Sequence, residues 1–447
     1  MNPNSRMLLG VVLGGVAIAG ALVAARTRPM TDLLPPASEI DAVAEPPPGR
    51  TTAITGALLV DGRGGPPVRD AVVVVRGERI VFAGTRAAAQ IPEGAEIVDA
   101  TGMTLMPGLL DAHFHLDGDV QLPPLQLQRG VTTLRDPGAW IQAYAPVRAL
   151  NVPVPRLFLT GPHLDWPPPA YPADSLLVRD PAEARITVAR LAAEGASAIK
   201  IYYRLPLEMI DAVTSAAHDH GLVVTAHLEL VDAGDAVRAG LDGIEHVTSF
   251  GVALAPLREA EAFRQAVIAD NAARNTGRYA LWSGIDVDSP RARAVLDLLV
   301  ARGTFFTPTL AVFERRPGDP GSNDVEARGF SNMLAFVNRA HRAGVRIVVG
   351  SHSEVPHAAR GFAYQREMEL LHESGLEPME ILQAATLVNA RFFRAEDRLG
   401  SIESGKRADI ILVAGNPLED LGAMRDVRRV MLNGVWVEAP ADRPQLR

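Results

Sequence analysis

The chain contains no cysteine. Disulfides and thiolate metal sites are therefore excluded, and any metal must be held by histidine, carboxylate or a modified lysine. The absence leaves the compartment open but is compatible with an oxidising one. A basic stripe is also missing, and the net charge is −8, which argues against nucleic acid as a partner. Neither a G-x-G-x-x-G nor a Walker signature occurs, so nucleotide-binding folds have no support. No short internal repeat is present.

What is there is ordinary globular composition, 47% apolar and 21% charged. At 447 residues the chain exceeds one compact core and suits a large domain with an accessory one. Met7 to Ala25 is an unbroken run of apolar residues and glycine behind Arg6. Val23 and Ala25 fit the small-residue positions of a signal-peptidase site, yet the run is also long enough to span a bilayer. Arg26 and Arg28 follow at once, so the charge rule gives no orientation. Residues 1–25 are thus expected to be a signal peptide or a membrane anchor, and the protein exported, either periplasmic or secreted, or tethered to the membrane. Without a cysteine to acylate it is no lipoprotein. Residues 26–50, rich in proline, alanine and acids, read as a linker.

Order is expected from Thr51. Short β-prone runs punctuated by glycine turns (Thr51 to Val60, Ala71 to Val75, Ile80 to Ala83) predict a small antiparallel sheet over 51–104. The C-terminal part, 399–440, reads the same way: Asp409 to Val413, Val427 to Leu432 and Val435 to Val437, with Asn433-Gly434 as a hairpin turn. The two ends are expected to build one small β-sandwich domain around a large insert, 105–398. That insert alternates. Apolar runs at Thr104 to Asp111, Val131 to Arg135, Arg156 to Thr160, Ala198 to Tyr202, Val223 to His227, Gly243 to Val247, Thr304 to Thr309 and Arg346 to Gly350 are mostly separated by amphipathic helices such as Pro181 to Glu194 and Leu207 to His220. Eight strands and intervening helices over about 290 residues fit an α/β class protein, a (β/α)₈ TIM barrel, better than an open sheet.

Polar residues stand where these runs end. The first finishes in His113-Phe114-His115, and residues two apart on a strand share a face. The fourth carries Lys200, the fifth ends at His227 and the sixth carries His246. C-terminal strand ends of a barrel converge on one mouth. Imidazoles gathered there suit a divalent metal, most often zinc. Each residue alone has a plain structural reading; the ordered set is what points to a metal site. His163, after the third run, is placed at the mouth as a substrate contact. His218, His220, His341, His357 and His372 fall outside the pattern and read as solvated or structural.

These stretches (PGLLDAHFH, GVTTLRDPG, AIKIYYRLP, VVTAHLE, DGIEHVTS, FTPTL, the run from Glu380 through AATLVNA, and LGSIESGKRADIILVAGNPLED) resemble the amidohydrolase superfamily, in particular its imidazolonepropionase-like and prolidase-like branch, over about residues 51 to 438. The resemblance implies a TIM barrel with one or two metals. It implies His113 and His115 on the first metal, His227 and His246 on the second, and Lys200, carboxylated on its side-chain nitrogen, bridging them. Carboxylation requires a neutral lysine, which burial favours.

One departure matters. Where the family ends its eighth strand with an aspartate, this chain has His352, in Val349-Gly350-Ser351-His352-Ser353-Glu354. Three readings follow: His352 ligates metal and acts as base; Glu354 supplies the carboxylate; or the site is degenerate. The expected reaction is hydrolysis of an amide-type C–N bond in a small molecule (a cyclic amide or a dipeptide) by metal-activated water. Tyr202 or Tyr203 would donate to the substrate carbonyl, and His352 or Glu354 would move the proton. Arg204 either pairs with a substrate carboxylate or is a solvated loop charge. Rival expectations are a lactone or ester hydrolase, and an exported, non-catalytic binding protein on a decayed barrel. Residues 251–295 show no decisive pattern beyond an acidic helical start and a Trp282-Ser283-Gly284 turn, and a lid is one reading. A homo-oligomer is compatible with everything above.

Overall fold

The computed structural model describes residue 39 and residues 49–437, so the apolar run Met7 to Ala25 and most of the linker lie outside it. Among the described residues no helix is long and apolar enough to cross a membrane.

The two chain ends meet in one eight-stranded sheet. Its strands are β1 (Thr51–Leu59), β2 (Val68–Arg76), β3 (Arg79–Thr85), β4 (Glu96–Asp99) and β5 (Met103–Pro107), joined by β16 (Ile410–Ala414), β17 (Val427–Leu432) and β18 (Val435–Val437). The order is β18-β17-β16-β5-β1-β2-β3, with β4 also on β1. The expected all-antiparallel pattern needs correction: β4 and β5 both pair parallel with β1. The β-branched run of β2 explains why this sheet is covered on both sides. Val73 and Val75 pack with Ile54, Ile80 and Ile410, while Val72 and Val74 pack with Ala53 on the opposite face. Asn433 and Gly434 both have positive φ, 51° and 78°, and close the β17–β18 hairpin as their residue types dictate.

The first apolar run is broken rather than continuous. β5 belongs to the small sheet, and a separate strand β6 (Leu109–Asp111) opens the barrel. The break falls at Gly108, whose N–H donates to the Asp409 carbonyl (2.9 Å). A Cβ there would overlap the Thr132 side chain, so only glycine lets the chain cross between domains at this depth.

Eight parallel positions follow in order: β6, β7 (Val131–Asp136), β8 (Arg156–Leu159) continued by β9 (His163–Asp165), β11 (Ala198–Ile201), β12 (Val223–His227), β13 (Gly243–Glu245), β14 (Phe305–Thr307) and β15 (Arg346–Ile347). A short β10 (Ser175–Leu177) adds to β9. The ring closes through Ser197 N–H to Leu159 C=O (2.8 Å) and Ala112 N–H to Val349 C=O (2.9 Å). This is a TIM barrel plus a small β domain. Its helices bury one stripe each. Helix Pro181–Ala193 turns in Ala184, Val188 and Leu191, and starts where the Asp180 carboxylate accepts from the Ala182 and Glu183 N–H groups.

The unassigned stretch 251–295 is helical and packed down. Trp282 is fully buried at the end of helix Arg274–Ser283, and its carbonyl accepts from Asn332 on helix Asp324–Ala343 (2.9 Å). Through Arg274, whose guanidinium reaches the Tyr202 hydroxyl, the segment borders the barrel mouth.

Candidate metal centre

His113, His115, His227, His246 and His352 come together. The rings of His113 and His246 lie 4.5 Å apart, His227 and His246 4.4 Å, His115 and His352 4.8 Å, and His113 and His352 5.3 Å (centroids). Nε2 of His113 faces Nε2 of His115 at 3.0 Å. Asp111, buried at the end of β6, fixes this geometry. Its Oδ1 accepts from the His113 N–H (3.0 Å) and the Ser351 N–H (2.9 Å), binding the first strand to the eighth. Burial pushes its carboxyl up to about 6.

Strand alternation would turn Glu245 and His246 to opposite faces. His246 escapes that rule because its φ is +69°, which swings it into the cluster beside its neighbour. Its Nδ1 meets Thr309 Oγ (2.7 Å), a hydroxyl already donating to the Pro308 carbonyl (2.9 Å). Nδ1 must therefore carry the proton, which leaves the Nε2 lone pair for the cluster. His227 is held the other way round, with Nε2 on Glu229 Oε1 (3.1 Å) and Nδ1 buried without a hydrogen bond. Glu229 is also paired with Arg278 (2.9 Å).

Beside the imidazoles lies a buried triad, Lys200 with Glu245 and Arg135, of which the sequence pattern singles out only Lys200. Glu245 is fully buried; its Oε2 receives Lys200 Nζ and lies 3.1 Å from His113 Nδ1, while its Oε1 accepts from Arg135 (2.8 Å). Arg135 also reaches Thr225 Oγ (2.7 Å). Burial, then the neighbouring Arg135, holds the Lys200 ammonium well below its ordinary range. Burial first, then the mutual repulsion of imidazoles, does the same for His113 and His246, and burial with nearby His115 does so for His352. His227 is lowered to about 4, again chiefly by burial. His113, His227, His246 and His352 are thus neutral at neutral pH, the form in which imidazole binds metal.

The donor set fits a divalent metal. One ring nitrogen each from His113, His115 and His352 lie within 4.8 Å of one another, as do those of His113 and His246 with a Glu245 oxygen. Nδ1 of His227, buried without a hydrogen bond, marks a place that protein atoms alone do not complete. A transition metal with imidazole ligands answers both observations.

Two expected site residues are elsewhere. Glu354 is exposed, and among the described residues its side chain joins no member of the cluster. The positive φ of His352 (59°) and Ser353 (63°) explains this: the chain turns sharply after β15, delivering His352 inward and carrying Glu354 out. Arg204 turns away too, donating to the carbonyls of Val267 (3.4 Å) and Ile268 (3.2 Å) at the end of helix Leu257–Ala269. It clamps the insert, which the negative end of a helix dipole favours. His163, Tyr202 and Tyr203 do line the mouth. His163 Nε2 is bonded to Ser175 Oγ (2.8 Å), and its ring lies 4.3 Å from that of Tyr202. Tyr202 and Tyr203 stand 5.0 and 5.7 Å from the His227 ring. Of the histidines read as structural, His218 pairs with Asp242 (2.8 Å), His341 with Glu380 (3.0 Å) and His357 with Asp319 (3.0 Å), all away from the cluster.

Comparison with known proteins agrees with this geometry. The model of the amidohydrolase family matches residues 104–437, the whole barrel and the return into the small sheet. The chain belongs to the amidohydrolase family. A protein of Bifidobacterium longum assigned as a prolidase superposes on this amidohydrolase with a TM-score of 0.68 at 27% identity, over 88% of this chain and 95% of its own. The 5-methylthioadenosine/S-adenosylhomocysteine deaminase of Desulforudis audaxviator is 26% identical over 76% of this chain and 80% of its own length. The N-acyl-D-aspartate deacylase of Alcaligenes xylosoxydans xylosoxydans is 40% identical, but over 25% of this chain and only 22% of its own length.

Proposed function

We propose that this amidohydrolase is an exported, zinc-dependent hydrolase of an amide-type carbon–nitrogen bond. The carrying observation is the gathering of five imidazoles from four strand ends into one cluster beside Lys200 and Glu245. Family membership and the prolidase-like, deaminase and deacylase relatives support a C–N hydrolase.

One or two metals held by His113, His115, His227 and His246, with Lys200 beside them, would acidify water and polarise a carbonyl. The chain's own residues do the rest. His352 keeps an edge toward solvent, is neutral at neutral pH, and can take a proton from water and return it to the leaving nitrogen. Burial pushes the Tyr203 phenol up to about 12 and the Tyr202 phenol higher still, so both stay protonated and can donate to the substrate carbonyl oxygen. Lys200, held neutral by burial, has the nucleophilic nitrogen that carboxylation needs. The added anion would sit beside Glu245, with Arg135 to balance the pair.

The test is a substrate panel of dipeptides, N-acyl amino acids, cyclic amides and lactones on the zinc-loaded protein. Turnover led by amides supports the reading. Turnover led by lactones establishes the ester-hydrolase alternative, and no turnover by fully loaded protein establishes the binding-protein alternative. Export is tested by fractionating cells that express the full chain.

A further inference from the structure

Arg204, four residues past Lys200, is engaged by the insert. The insert sends back another. Arg274, first residue of helix Arg274–Ser283, is 6% exposed and enters the mouth from outside the strand order. It is enclosed by tyrosines from two separate loops. One Nη donates to the Tyr171 hydroxyl and the other to that of Tyr202 (3.4 Å). The guanidinium lies 4.9 Å over the Tyr203 ring and 5.3 Å from the Tyr171 ring. Among the described residues it forms no ion pair; the nearby Glu229 carboxylate is taken by Arg278 and His227.

A buried guanidinium whose hydrogen bonds go only to neutral phenols, with Glu229 acting on it only at a distance, has no carboxylate in contact and room to gain from one. Guanidinium is also the side chain best shaped to take a carboxylate through two parallel bonds. The cage stands beside the metal cluster: Tyr202 and Tyr203, which face Arg274, also face the His227 ring at 5.0 and 5.7 Å. An amide held over the imidazoles would place a carboxylate a few bonds away near this cation. We propose that Arg274, positioned by Tyr171, Tyr202 and Tyr203, selects substrates that carry a free carboxylate close to the scissile amide, such as N-acyl amino acids and dipeptides. This rests on the amide-hydrolase reading above and gives that site its substrate class.

The experiment measures binding, so it does not depend on turnover. N-acetyl amino acids with apolar side chains, and the matching carboxamides, are titrated calorimetrically into zinc-loaded wild type, Arg274→Met and Arg274→Lys. Arg274→Met keeps the apolar stem and removes the charge. Wild type should bind acid over carboxamide by about 10- to 100-fold, as expected for a charge-assisted pair. Arg274→Met should abolish that preference at unchanged zinc content, and Arg274→Lys should restore part of it. Equal binding of acid and carboxamide by wild type, binding of neither, or an undiminished preference in Arg274→Met overturns the proposal. If the Met variant loses zinc or fails to fold, wild type and Arg274→Lys decide: a preference that wild type shows and Lys weakens supports the proposal, and one that Lys leaves unchanged overturns it. A preference without hydrolysis of any panel amide would sink the hydrolase reading and leave the anion anchor standing. Hydrolysis without a preference would do the reverse.

Discussion

The imidazole of His352 stacks on that of His113, their planes 12° apart at 5.3 Å, while the His352 N–H donates to the His113 carbonyl at 2.7 Å. The residue standing where the family places an aspartate is therefore bound by backbone and by ring to the first residue of the His-x-His pair. The left-handed backbone at His352 and Ser353 is what holds it there, fixed further by Ser353 Oγ, which donates to the His115 carbonyl (2.7 Å).

From that position His352→Ala should lower turnover by about 10²- to 10⁴-fold, the range for loss of a proton-transfer group. Glu354→Ala should change it little, since Glu354 points away from the cluster. Steady-state kinetics on both variants checks this. Equal activity of His352→Ala and wild type, or a collapse on Glu354→Ala, contradicts the assignment.

Glu245 carries the charge balance of the buried triad. Glu245→Ala would leave Arg135 and Lys200 facing each other in the barrel interior without their carboxylate. Removing one partner of such a pair costs about 3–5 kcal/mol. Urea unfolding of the metal-free protein should show that loss, with partial recovery in the double variant Glu245→Ala/Arg135→Met. A loss below about 1 kcal/mol, the worth of an exposed pair, contradicts it.

How much of this was legible in the sequence depended on whether a residue obeyed a local rule. His113 and His115 did, because residues two apart share a strand face. The eight apolar runs did as well, since short runs between amphipathic helices have few other uses. Glu245 did not: beside His246 it belongs to the opposite face, and only the positive φ of His246 brings both inward. Arg204 stayed open between substrate contact and loop charge, because closeness to Lys200 in sequence says nothing of where a long side chain ends; here it ends on the Val267 and Ile268 carbonyls. Arg274 had no signal, since it reaches the mouth through an insert whose place is set by packing of Trp282 and Tyr279 against helix Asp324–Ala343. Asp111, two residues before His113, and Glu229, two residues past His227, are the missed residues that alternation could have found.

A buried carboxyl outside the imidazole cluster gives a pH test. Burial pushes Glu367 up from the usual carboxylate range to about 8, while its Oε2 accepts from the Ala311 N–H (2.8 Å). The native state then holds a proton that the unfolded chain releases near 4.5. Stability from this group is present at acid pH and is lost as pH rises toward about 8. Glu367→Gln, which cannot ionise, should escape that loss. Its melting temperature relative to wild type should rise by at least about 2 °C between pH 6 and pH 9. A difference independent of pH contradicts the buried-acid assignment.

The central claim, that these histidines form a metal site, is tested most directly by metal stoichiometry. Wild type, His113→Ala and His246→Ala are dialysed against metal-free buffer and their transition-metal content is measured by mass spectrometry. The account predicts about one or two tightly held equivalents, mainly zinc, per wild-type chain and a loss of about one equivalent or more in each variant. Wild type with clearly less than one equivalent, or variants that retain the wild-type amount, would contradict it.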